Sequence, residues 1–124
     1  MVLTFDFSGD VPLYLQIRNQ IVLGIGSGSL QPGEKLPTIR ALAEESGVNT
    51  MTVSKAYNLL KQEGYIVTDR RKGATVCPRA VTGQIKPETK KNLQLCLSEL
   101  KAAGQTAEDI HRLVDELLKE SETV

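Results

Sequence analysis

The sequence predicts a mainly α-helical chain with one small β-hairpin, and three observations carry that prediction. Apolar residues recur at helical spacing over five stretches, and cap and turn residues fall between those stretches. Only one pair of β-prone runs stands close enough together to form a hairpin. The balance of 40% apolar but only 4% aromatic residues suits a helix-leaning globular protein.

Residues 1–10, with Val2, Leu3, Phe5 and Phe7 loosely alternating, read as an extended arm. Asp10 is the expected N-cap of the first helix, with Pro12 tolerated in its first turn. Leu13, Ile17, Ile21 and Gly24 share one helical face with Tyr14 and Ile25 beside it, and Gly26-Ser27-Gly28-Ser29 ends the run. Pro32-Gly33 is the pair a type II turn prefers, and residues 34–36 have the length of a short edge strand. Thr38 is the expected N-cap of a second helix with Ile39, Leu42 and Ala43 inward, stopped by Gly47. Asn49 caps a third whose inward stripe is Val53, Ala56, Tyr57 and Leu60; Met51, Ser54, Lys55, Asn58 and Gln62 lie opposite. Gly64 caps its end. Residues 65–68 and 74–77 are β-prone and joined by Asp69-Arg70-Arg71-Lys72-Gly73, a hairpin with a five-residue basic tip.

Residues 1–78 are expected to form one domain, 79–87 a linker and 88–124 a two-helix tail. The first tail helix, residues 88–103, should bury Leu93, Cys96, Leu97 and Leu100. Gly104 ends it, and Thr106 with Asp109 approximates a capping box. Ile110, Leu113, Val114, Leu117 and Leu118 then form an i, i+3, i+4, i+7, i+8 stripe.

Charge is segregated although the whole chain is neutral. Six bases against two acids give residues 50–79 a charge of +4, while residues 81–124 carry −2. No apolar run approaches a membrane span, and the start lacks a basic stretch followed by an apolar one, so the expected location is the cytoplasm. Cys77 and Cys96 fit a reducing compartment. His111 stands in no Cys/His/Asp cluster, so no metal is expected. Nothing resembles a catalytic triad, a P-loop or a carboxylate pair; neither an enzyme nor a cofactor is expected.

Two short helices about a tight turn, then a basic hairpin, describe a winged helix-turn-helix, a shape suited to laying one helix in the major groove of DNA. Asn49, Thr50, Thr52 and Ser54 offer an amide and hydroxyls to base edges, and Lys55 offers charge. Met51 either meets a thymine methyl or is simply exposed. Arg70, Arg71 and Lys72 can follow the backbone or enter a narrow minor groove. The expected partner is therefore double-stranded DNA. Two other readings stay open: an adaptor whose wing grips an acidic protein, and a sensor holding a small-molecule effector between tail and winged helix.

Pro12-Leu13-Tyr14 with Gln16-Ile17, Leu30 with Pro32-Gly33, Leu36-Pro37-Thr38 with Arg40, Leu42-Ala43, Gly47-Val48, Thr52-Val53, Ala56-Tyr57, Leu60, Glu63-Gly64 and Ile66 carry a resemblance. Over residues 12 to about 77 the chain resembles the N-terminal domain of GntR-family bacterial transcription regulators. The resemblance implies that Arg40 reaches a phosphate or a guanine edge. It also implies operator contacts by positions 49–52, by Ser54, and by the wing from Arg70 to Gly73. Two departures limit the transfer. Asn49-Thr50-Met51 stands where the family often has an arginine after Gly-Val-Ser, and the wing has one glycine where two are common. Base preference and wing shape therefore do not carry over.

The forty-odd residues of the tail are too few for an aminotransferase-like or mixed α/β effector domain, and one histidine is too few for the metal-binding helical type. What remains resembles the short-tailed YtrA-like subfamily, whose two C-terminal helices make the dimer. Two helices of about sixteen residues cannot enclose a core alone. Leu93, Leu97, Leu100, Ile110, Leu113, Val114, Leu117 and Leu118 are thus expected to pack across a homodimer that represses transcription from a pseudo-palindromic operator.

Overall fold

Pro12 sets where the first helix begins. Its extended backbone (φ −57°, ψ 148°) places its carbonyl to accept from the N–H groups of Leu15 and Gln16, and α1 runs Leu13–Ser27. Asp10 is therefore not the N-cap: it lies upstream, and the fixed φ of proline does the work that a capping side chain was expected to do. The structure, a computed structural model, describes residues 3–71, 73–77 and 83–122. No helix among these residues is long and apolar enough to cross a membrane.

The arm is held on α1 by two glutamine amides one turn apart. Gln20 accepts from the Thr4 N–H at 2.9 Å and donates to its carbonyl at 2.6 Å. Gln16 does the same for Asp6, at 2.8 and 2.9 Å, so each side chain stands in for a strand partner. Gly24 belongs to the α1 stripe because Leu30 folds over it; a Cβ there would lie 2.9 Å from Leu30 Cδ1. The turn at Pro32-Gly33 closes with the Glu34 N–H donating to the Gln31 carbonyl at 3.0 Å.

Thr38 caps α2 (Ile39–Ser46), its hydroxyl accepting from the Ala41 N–H. Leu42 and Ala43 are buried, whereas Ile39, expected inward, is exposed at the first helical position. Asn49 caps α3 (Thr50–Gln62), whose stripe Val53, Ala56, Tyr57 and Leu60 is wholly buried. At Gly64 (φ +87°) the chain leaves the helix: the Gly64 N–H returns to the Lys61 carbonyl and the Tyr65 N–H to that of Leu60. β1 (Ile66–Asp69) and β2 (Gly73–Val76) pair antiparallel, with Ile66 opposite Val76 and Asp69 opposite Gly73. The loop between the strands is thus three residues, not five, because Asp69 and Gly73 extend the ladder. Lys35 bridges Thr75, so residues 34–36 line the other edge of β2.

The core of this unit gathers Ile17 and Ile21 of α1, Leu36, Leu42, the α3 stripe, Ile66, Ala74 and Val76. Each fully buried aliphatic side chain contributes about 1.5–3 kcal/mol.

The chain divides into two units, residues 1–79 and 80–123. The second contains α4 (Pro87–Ala102) and α5 (Ala107–Glu122). Pro87, assigned to the linker from sequence, is the first residue of α4, where its missing N–H costs nothing. Thr106 and Asp109 form the reciprocal capping box: the Asp109 N–H donates to Thr106 Oγ1, and the Thr106 N–H to Asp109 Oδ2. Hydrogen bonding to its carboxylate from the Thr106 N–H first, and from the Thr106 side chain second, holds Asp109 below the usual aspartate range.

The expected burial in the tail is not met within one chain. Ile110 is its one buried residue among those described, with Leu97, Leu100 and Leu113 half-buried. Leu93 is 55% exposed and Cys96, read as a small core residue, is also exposed, because a two-helix pair has too little material to cover both faces.

Candidate nucleic-acid interface

Burial of the α3 stripe fixes which way its other face points. Met51 is 77% exposed, Lys55 and Asn58 are exposed beside it, and Thr52 and Ser54 are half-buried at the same end. Asn49 Oδ1 accepts from the Met51 N–H at 2.7 Å, which commits the oxygen to capping and leaves the amide NH₂ group as the outward donor. Lys55 lies with Nζ 4.1 Å from the centre of the Tyr14 ring, a cation–π contact that holds its charge over the start of α1. An open groove of about 880 Å³ is lined by Leu13 and Tyr14 of α1 and by Met51, Ser54, Lys55 and Asn58 of α3.

Arg40, in the first turn of α2, is exposed. Asp69 Oδ1 accepts from the Arg71 N–H at 2.8 Å and folds the wing tip, leaving Arg70 and Arg71 exposed. Arg40, Arg70 and Arg71 form no ion pair among the described residues. Gly73 closes the tip with a positive φ, and Lys72, also expected in the site, lies outside the described residues.

Two groups brace this face from behind. Tyr57 donates its hydroxyl to the Pro37 carbonyl at 2.7 Å, tying α3 to the segment that starts α2. Burial, with a smaller push from the Glu45 carboxylate, raises its pKa to about 12. The folded state thus holds the phenol above its ordinary value, so that stabilisation is complete below pH 10 and is lost as pH climbs towards 12. Phenolate absorbance of the wild type minus that of Tyr57→Phe is expected to show one step centred near about 12. A step at the ordinary tyrosine value would contradict the buried hydrogen bond.

The second brace is Arg18 of α1. Its Nε and Nη2 donate to the two carboxylate oxygens of Glu63, both at 2.8 Å, and its guanidinium stands 5.5 Å from the centre of the Tyr65 ring. The Glu63 bond raises the Arg18 pKa further. Neither the Lys55–Tyr14 contact nor the Arg18–Glu63 pair was expected from sequence; partners 45 residues apart, as Arg18 and Glu63 are, leave no periodic signal.

A buried-stripe helix baring a polar face, an arginine on the preceding helix and a basic hairpin after it define the winged helix-turn-helix class of transcription regulator. The sequence profile of the bacterial regulatory proteins of the gntR family matches residues 13–76, and the chain belongs to that family. It is 32% identical over 119 residues to the HTH-type transcriptional repressor YtrA of Bacillus subtilis (strain 168), covering 94% of this chain and 92% of YtrA. That likeness runs through the tail, as the short-tailed subfamily requires. Among solved structures, a transcriptional antiterminator from Listeria monocytogenes EGD-e superposes with a TM-score of 0.87 at 32% identity, over 98% of this chain and 93% of that one. The DNA-binding domain of AraR in complex with operator ORX1 is similar over 62% of this chain and 99% of its own, at 28% identity and a TM-score of 0.56.

Proposed function

We propose that the chain represses transcription as a homodimer, with α3 in the major groove of a pseudo-palindromic operator and the wing on the flanking backbone. The observation that carries this reading is the exposed face bearing Met51, Lys55 and Asn58, together with exposed Arg40, Arg70 and Arg71, which form no ion pair among the described residues. The AraR domain, similar over this region, is seen on an operator. Asn49, Thr50, Thr52 and Ser54 approach base edges. Met51 offers an apolar surface to a thymine methyl, and Lys55, Arg70, Arg71, Lys72 and the Gly73 backbone take phosphates. Two such faces would meet half-sites roughly 34 Å apart, or a multiple of that.

Dimerisation is assigned to the apolar tail surface. Leu93 is 55% exposed and Val114 is 39% exposed, and Leu97, Leu100 and Leu113 are half-buried. Leu117 and Leu118 extend the same α5 stripe, whereas Ile110 is already buried in the single chain and has little area left for a partner.

Gel-shift titration against the region upstream of the protein's own gene tests the reading. Arg40→Ala and Arg70→Ala are each expected to weaken binding without changing the dimer. If Arg40 contacts guanine with both arms, its loss costs about 1–3 kcal/mol and relaxes selectivity at that base. Arg70→Ala should lower the slope of log affinity against log salt by about 0.9. Wild-type affinity in both variants would remove these two residues from the interface.

A further inference from the structure

We infer that Arg18 is a positioning residue that locks the recognition helix and the wing into one orientation, so that both reach the duplex together. The role rests on the DNA-facing reading of α3 and the hairpin. It deepens that reading by adding a residue on neither element.

The geometry is that of a clamp on a joint. Glu63 closes α3, Gly64 turns the chain, and Tyr65 opens into the hairpin, where its carbonyl accepts from the Cys77 N–H. One guanidinium holds the residues on both sides of that glycine: two parallel bonds to Glu63 and the ring contact with Tyr65. Its Nη1 also donates to Asn19 Oδ1 at 3.0 Å, which steadies the fork on α1. The ion pair is only 24% and 27% exposed on its two sides, so its planar, two-point geometry is retained rather than dispersed in solvent. A carboxylate at the C-terminal end of a helix opposes the helix dipole, and Arg18 offsets that repulsion as well. Gly64 has no side chain to resist rotation. Without the clamp, the angle between α3 and the hairpin loses its bidentate restraint.

The two elements then bind as separate, weaker units, and a wing contact should contribute only when the clamp is intact. The test compares wild type, Arg18→Met, Arg70→Ala and the double variant, with a duplex pool that the wild type retains from random sequence. Arg18→Met is expected to flatten the salt slope by roughly 1.8, equivalent to two lost phosphate contacts. Adding Arg70→Ala to it should change the slope no further. A purely structural role for Arg18 would reduce the folded fraction and scale all affinities alike, leaving the full Arg70→Ala effect in place. Arg18→Lys keeps the charge but cannot make the fork, and it gives the same comparison if Arg18→Met folds poorly. A wild-type slope in both Arg18 variants, or an undiminished Arg70→Ala effect in either background, overturns the positioning role alone. A wild type that retains no duplex overturns the DNA reading and this role with it.

Discussion

Leu60→Ala lowers the stability of the winged-helix unit by about 2–5 kcal/mol. Leu60 is fully buried in the last turn of α3, and α1, α2 and the first strand of the hairpin all pack against that helix. Truncation removes its transfer energy and leaves a cavity that such a small core cannot collapse around. In a unit of this size each kcal/mol shifts the melting temperature by about 4–8 °C. Thermal unfolding followed by circular dichroism should therefore show a fall of at least roughly 8 °C. A shift of only a degree or two would mean that α3 is not seated by its apolar stripe, and the outward direction of its polar face would lose its basis.

The second large effect is at the other end of the chain. Leu93→Asp is expected to turn the proposed dimer into monomers and to reduce affinity for a two-half-site operator to that for a single half-site. Leu93 is 55% exposed in the single chain, so its replacement costs the tail helices little internally. A two-fold interface contains each residue twice. Losing about 1.5–3 kcal/mol per copy, with two carboxylates placed in an apolar seam, raises the dimer dissociation constant by roughly a hundredfold or more. Sedimentation equilibrium reads the change directly. An unaltered mass distribution would move the interface away from α4.

The fold was readable wherever local chemistry is decisive. Thr38, Asn49 and Thr106 cap the helices for which they were chosen, because a side-chain oxygen one to three residues from a free N–H closes a bond with almost no search. The α3 stripe was readable because four apolar residues at helical spacing admit one buried face. Misreadings arose where two local solutions competed. Asp10 and Pro12 could both start α1, and proline won because its carbonyl alone satisfies two N–H groups. Residues 69 and 73 could belong to loop or ladder, and cross-strand pairing took them. Cys96 matched a buried period, but periodicity says which residues share a face and not whether anything lies against it.

The candidate interface divides along the same line. The polar residues of α3 and the basic tip were named from sequence, since composition and spacing express exposure directly, and Arg40 was named from the family resemblance. Lys55 over Tyr14, Tyr57 on the Pro37 carbonyl and Arg18 on Glu63 were not, because each pair is far apart in sequence and is brought together by packing. Identity of the elements, their order and the charge presented to a partner follow from short-range preferences that a linear chain states openly. The angle at which α3, α2 and the wing meet follows from long-range contacts among side chains, and those exist only once the core has excluded water.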